Sequence, residues 1–238
     1  MTQDLNLIRS ENWSSSLDNS QDSGRDRNIG SQPRYAFTFI CQQGVLEGLS
    51  LLLAASLKRF LRCPYELIAA IPLPESQWGT PHPTTLRTLQ KMGVRIEYFE
   101  NLIPLSRKGN PLTNKIFCFQ LPTQMEKTIF LDSDLLCLQP FSPGDRFLKP
   151  FSAAPTFLAT GRNWDNIYSA VGAKVPEERI PTLFSDDLQP PYFNSGFIAV
   201  DTALAAELAS TWWECFNQID QSGAMADNLY FREQVSLA

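Results

Sequence analysis

Asp132 and Asp134 stand one residue apart at the end of the run Thr128-Ile129-Phe130-Leu131, with Leu135, Leu136 and Leu138 beyond them. Neighbours this apolar belong to a buried strand, where an uncompensated carboxylate costs several kcal/mol. Two such groups together call for a compensating cation. On an extended backbone residues i and i+2 point to the same side, so the two carboxylates are expected to converge while Ser133 faces away. Two hard oxygen donors at a strand end suit Mn²⁺ or Mg²⁺ carrying the phosphates of a substrate.

A second polar cluster sits inside an apolar run, Tyr192-Phe193-Asn194-Ser195-Gly196-Phe197-Ile198. An amide flanked by such residues must be hydrogen-bonded or suffer the loss of its water. Gly196 allows another group to approach the backbone closely. The same triplet also reads as a structural bulge in a strand. Other chemistries are poorly supplied. The single histidine, His82, lies between Pro81 and Pro83, which rules out a multi-histidine metal site. Five cysteines without C-x-x-C spacing read as free thiols, so a reducing, cytoplasmic setting is expected.

These residues need elements to hold them. Strand patterns occur at residues 35–41, 66–71, 94–98 and 128–131, separated by helical patterns at 45–61, 84–92 and 112–121. Glu47 falls at the start of the first helix and reads as a half-exposed side chain. Alternating strands and helices predict an α/β/α sandwich around a mostly parallel sheet, with ligands outside the carboxyl ends of the strands. The aspartate pair falls at such an end. Further on, residues 151–160 are expected as a strand, 162–174 as a short helix or loop, and 180–191 as a surface loop. After a strand at 192–200, a helix over 202–219 is expected to bury Leu204, Leu208, Thr211, Cys215 and Ile219, with Asp201 as its cap. Residues 226–238 read as helical.

The 238-residue chain has a net charge of −5 and no basic cluster, which argues against nucleic-acid binding. Residues 1–33 are polar and aperiodic and are expected to form a disordered tail. No apolar stretch is long enough for a transmembrane segment.

The ordered remainder, residues 34–238, resembles glycosyltransferases of the GT-A fold, closest to family eight, the group of glycogenin and the bacterial lipopolysaccharide glucosyl- and galactosyltransferases. The pieces that carry the resemblance occur in order: a threonine-bearing strand then a helix, Asn114-Lys115, Leu131-Asp132-Ser133-Asp134, Phe193-Asn194-Ser195-Gly196 and Glu233-Gln234-Val235-Ser236-Leu237. The resemblance implies a single GT-A domain that transfers a hexose from a UDP-sugar donor, with Mn²⁺ or Mg²⁺ on Asp132 and Asp134 and retention of anomeric configuration. It implies donor-binding roles for Thr38, Gln42, Lys115, Asp132, Ser133, Asp134, Asn194, Ser195 and Gly196, and catalytic roles for Asn194, Glu233 and Gln234. Lys115 is expected to give its charge to the diphosphate and little to the fold. The family usually continues into a C-terminal segment that supplies a histidine to the metal and part of the acceptor site, and this chain is expected to lack it. Two other functions fit parts of the pattern: a nucleotide-sugar-binding domain without turnover, and a haloacid-dehalogenase-type phosphatase, which also uses Asp-x-Asp after an apolar strand. The acceptor, whether sugar, lipid or protein, is not legible.

Overall fold

The computed structural model describes residues 34–103, 110–143, 149–157, 162–185 and 187–238. The tail expected at residues 1–33 lies outside the described residues, as does the end of the strand expected to reach residue 160.

Six strands form one sheet: β1 (Tyr35–Ile40), β2 (Tyr65–Leu73), β3 (Val94–Glu100), β4 (Lys127–Leu131), β5 (Phe151–Pro155) and β8 (Phe193–Asp201), in the order β3-β2-β1-β4-β8-β5. β1 to β4 pair in parallel, whereas β8 runs antiparallel to both β4 and β5. This is the mostly parallel α/β/α architecture expected of a GT-A fold.

Strand alternation divides the core. Phe37 and Phe39 of β1 pack with Leu53 and Leu57 of α1 (Val45–Phe60) and Leu89 of α3 (Pro83–Lys91), α2 being the short Glu75–Trp78 turn. Ala36 and Ile40 face the opposite layer, built from α4 (Asn114–Phe117) and α6 (Thr202–Ser222). Glu47 is not a passive surface group. Its carboxylate accepts hydrogen bonds from Gly44 N at 3.1 Å, His82 N at 2.8 Å and Thr85 Oγ1 at 2.7 Å, tying α1 to α3.

Several elements differ from expectation. The helix expected at 112–121 is a 3-10 turn, the single turn of α4 and a second 3-10 turn. Asn114, Lys115, Ile116, Cys118 and Phe119 are all buried, so tertiary contacts on nearly every side decide the winding rather than a one-sided stripe. α6 buries Ile219 as expected, but its other buried residues, Ala205, Ala209, Trp212 and Phe216, each fall one position on from those expected, and Leu204 is exposed. The rings of Trp212 and Phe216 offer more area than the leucines and set the phase. Asp201 occupies the N-cap position but makes no cap bond, because its carboxylate pairs with Lys127. Residues 162–174 contain α5 (Trp164–Ala170), and the surface loop expected at 180–191 contains a small ribbon, β6 (Ile180–Pro181) with β7 (Leu188–Gln189). The C-terminal stretch is a 3-10 helix, Ala226–Phe231, then the short α7 (Arg232–Val235), rather than one helix. Among the described residues no helix is long and apolar enough to cross a membrane.

Candidate active site

The site lies where topology places it. β1 and β4 are parallel and adjacent, so their carboxyl ends share one edge of the sheet. β8 is antiparallel to β4, with Leu131 opposite Phe197, so its amino-terminal residues arrive at that same edge. Residues far apart in sequence, Gln42, Asp132 and Asn194, are thereby gathered by strand direction alone.

A cavity of about 310 Å³ opens here, with Gln42, Asn114, Lys115, Asp132, Asp134 and Tyr230 in its wall. Asp132 and Asp134 do line one cavity, but not by strand alternation. Pairing ends where Asp132 N donates to Gly196 O at 2.8 Å, and Leu135 N then donates to Asp132 O at 3.1 Å, closing a turn. Ser133 does not face away from the aspartates either, since it lines the same cavity. It is buried, and its hydroxyl donates to Ile40 O at 2.5 Å, a carbonyl that also accepts from Ser50 at 2.9 Å. This bond fastens the aspartate turn to the end of β1.

Behind Asp132 runs a buried polar chain drawn from four elements. Lys115 Nζ lies 3.0 Å from Asp132 Oδ1 and donates to Ser195 Oγ at 3.1 Å. Ser195 Oγ donates to Glu233 Oε2 at 3.2 Å, itself 3.9 Å from Lys115 Nζ. Lys115 also sits 5.6 Å from the centre of the Phe130 ring, a favourable place for a cation. Burial works against its charge, but Glu233 and Asp132 outweigh it and hold the ammonium above its ordinary pKa. Glu233 is only 1% exposed. Burial pushes its carboxyl up, Lys115 opposes this and Asp132 adds to it, for a result of about 7. Its Oε1 has no hydrogen-bond partner among the described residues. Lys115 is therefore no surface lysine. It is an internal cation balanced by carboxylates, and the expectation that it matters little to the fold is overturned.

Asn194, Ser195 and Gly196 form a bulge, and the bulge brings them to the site. Ala153 of β5 pairs with Ile198, yet the next residue, Ala154, pairs with Asn194. Ser195, Gly196 and Phe197 are thus thrown out of the β5 register towards β4. Asn194 Oδ1 accepts from Gly196 N at 2.8 Å and fixes the bend. A Cβ on Gly196 would lie 2.7 Å from Asp132 Oδ2, so only glycine admits that carboxylate. The structural and the chemical readings of this triplet are one arrangement.

A second, larger cavity of about 820 Å³ lies across the 3-10 helix Ala226–Phe231 from the first. Tyr230 lines the smaller and Phe231 the larger, their rings in edge contact at 5.1 Å. Asn194 and Gln234 both line the larger cavity, although they come from β8 and α7. Glu233 lines neither. Successive helical residues diverge by about 100°, so when Gln234 faces the cavity Glu233 points into the core, where it can act only through Lys115 and Ser195. Thr38 is likewise in the core, 1% exposed, with its hydroxyl 3.5 Å from Ile129 O. Gln42 is in the smaller cavity's wall and accepts from Asn114 Nδ2 at 3.4 Å.

Some contributors were missed from sequence. Asn101 is fully buried and donates to Asn114 Oδ1 at 2.7 Å and to Thr113 Oγ1 at 3.1 Å, so it orients the start of α4. With the charged Glu100 directly before it, Asn101 lacks the apolar flanks that mark a buried amide in sequence. Tyr230 and Arg162 gave no signal either.

The donor set limits what cation could sit here. Among the described residues no group of three His, Cys, Asp or Glu side chains is placed to hold a metal. The two carboxylates of the aspartate turn are hard donors that fit Mn²⁺ or Mg²⁺ when a ligand's phosphates supply further oxygens.

A family model described as a Rhodobacterales glycosyltransferase domain matches residues 37–238. No curated protein matches the chain. The family match sets aside the phosphatase reading of the aspartate pair.

Proposed function

We propose that this chain, which belongs to the Rhodobacterales glycosyltransferase domain family, transfers a hexose from UDP-glucose or UDP-galactose to an acceptor hydroxyl. Assignment to glycosyltransferase family eight, retention of anomeric configuration and dependence on Mn²⁺ or Mg²⁺ belong to the same reading, as does the extent of the catalytic unit, residues 34–238.

One observation carries it. A cavity walled by Asp132, Asp134 and the buried Lys115 adjoins one walled by the amides Asn194 and Gln234. Cationic and metal-binding groups suit a diphosphate, and neutral amides suit the hydroxyls of a sugar. In this reading the nucleotide lies along Gln42 and Tyr230, and the hexose enters the larger cavity. The bond from the anomeric carbon to the diphosphate oxygen breaks, and its electron pair leaves with UDP. The acceptor oxygen forms the new bond and gives up its proton to the departing diphosphate. Asp132 and Asp134 would hold a divalent ion, which when bound would supply positive charge to the diphosphate. Lys115 holds Asp132 in place and adds to the same field. Gln234 presents an amide near the anomeric carbon, and Asn194, with Oδ1 engaged by Gly196, offers its Nδ2 to a hydroxyl.

The test pairs binding with turnover. Calorimetry with UDP should show affinity that depends on Mn²⁺ and is lost in Asp134→Ala, and UDP-glucose or UDP-galactose should release UDP. Equal affinity in the presence of a chelator would refute the metal role. Tight Mn²⁺-dependent binding with no release of UDP under any acceptor would assign the chain to nucleotide-sugar binding alone.

A further inference from the structure

The larger cavity holds a cation that pairs with no carboxylate among the described residues. Arg162 lies in its wall, with its guanidinium 5.2 Å from the centre of the Tyr192 ring and 5.5 Å from that of Phe231. Nη2 donates to Tyr192 Oη at 3.0 Å and Nη1 lies 3.7 Å from Met225 Sδ. The rings and the phenol lock the plane of the group. Nε, by contrast, is buried and has no hydrogen-bond partner among the described residues. Arg162 also makes no ion pair among them, although Asp227 lies in the same cavity wall.

The buried cations among the described residues are different. Lys115 has Asp132 and Glu233, Lys127 has Asp201 and Arg232 has Asp220. A guanidinium carries five donors in a planar fork. A buried donor left unsatisfied is costly, and it persists where a ligand completes it. The planar fork is matched by the paired oxygens of a carboxylate or phosphate. The neighbouring amides Asn194 and Gln234 suit hydroxyls, so the ligand that meets both chemistries is a sugar bearing an anion.

We infer that the larger cavity receives a sugar unit carrying a carboxylate or phosphate, held by Arg162. This rests on the proposed function for its placing of the hexose end of the donor in that cavity. The anionic unit belongs either to the acceptor or to the donor's own hexose, and charge-matched pairs of probes separate the two. Direct binding would be measured for methyl glucoside against methyl glucuronide, for glucose against glucose 6-phosphate, and for UDP-glucose against UDP-glucuronate.

In at least one pair the charged probe should bind about tenfold or more tightly than its neutral twin, as a charge-assisted contact predicts. Arg162→Gln should bring that pair to parity, and Arg162→Lys should retain part of the preference. Affinity for Mn²⁺ with UDP should stay unchanged in both variants, which shows that they are folded. Preference only in the UDP-sugar pair assigns the anion to the donor, and preference in a free-sugar pair assigns it to the acceptor. Equal binding within every pair, a preference that survives Arg162→Gln, or no binding of any charged probe at tens of millimolar would overturn the inference. Failure of the proposed function looks different: UDP itself would not bind, whatever the charge preference of the free sugars.

Discussion

Replacing Lys115 with methionine keeps most of the length of the side chain and removes its charge, and the consequence can be worked out from the buried chain it joins. In the folded protein Glu233 has its carboxyl raised to about 7 from an ordinary 4.5, chiefly by burial, while Lys115 pulls the value down. Between those two values the folded state holds a proton that the unfolded chain has released, so stability falls as pH rises. Lys115 has its pKa raised, so its contribution is present at every pH below its ordinary 10.5 and is lost only as pH rises through the higher folded value. Of the two, only the glutamate changes charge near neutrality. Without the ammonium its pKa climbs further, and the decline in stability extends to higher pH. Breaking a buried ion pair by removing one partner costs about 3–5 kcal/mol, which lowers the melting temperature of a domain this size by roughly ten degrees. That is the expected loss for Lys115→Met at about pH 8. At about pH 5 Glu233 is neutral in both proteins, and the loss should shrink to about 1–2 kcal/mol, the worth of the hydrogen bond to Ser195, the contact with Phe130 and the pair with the partly exposed Asp132. Adding Glu233→Gln should restore most of the stability at the higher pH, because it removes the stranded carboxylate. Thermal or urea unfolding of the three proteins at both pH values decides the matter. An equal loss at both, untouched by the second substitution, would refute the account.

Two further outcomes follow from Asp132. Gly196→Ala puts a methyl 2.7 Å from Asp132 Oδ2, so the carboxylate must retreat along its pair with Lys115; unfolding should report a loss of about 1–3 kcal/mol, with Mn²⁺-dependent UDP affinity down about tenfold, and an unchanged affinity would show that Asp132 is not a ligand. Since Asp132 already faces an ammonium 3.0 Å away, Mn²⁺ alone should bind weakly and UDP should strengthen it, which calorimetry in either order of addition will check; equal Mn²⁺ affinity with and without UDP would be evidence against a shared site.

The alternation of β1 and the apolar run before Asp132 were legible because each strand is buried on both faces, so its composition is decided by neighbours of one kind. The winding of α4 and the phase of α6 were not. Ile116 and Phe119 give no one-sided stripe when almost every side is buried, and the leucines of α6 suggested a face that the larger rings of Trp212 and Phe216 displaced by one residue. Asp132, Asp134, Asn194 and Gln234 were recognisable as polar residues in places or patterns where chemistry is expected, and the fold gathers them in two adjoining cavities. The direction in which each points was a different matter. Glu233 and Thr38 have the right neighbours in sequence and lie in the core.

The bulge in β8 shows why type was easier to read than direction. Asn194, Ser195 and Gly196 could be read as a sugar contact or as a strand irregularity, and the two seemed to compete. Antiparallel pairing with β4 places the triplet beside Asp132, and the register jump at Ala153/Ala154 turns it out of line with β5. Without that jump, strand alternation would put Asn194 and Gly196 on one face and Ser195 on the other. With it, Ser195 reaches Lys115 and Glu233, Gly196 receives Asp132, and Asn194 lines the larger cavity. The irregularity is what lets three consecutive residues serve three neighbours. A sequence records the glycine and the amide that make such a bend possible, but the bend's direction is set by β4 and β5, strands whose nearest residues, Leu131 and Phe151, stand 20 positions apart in the chain.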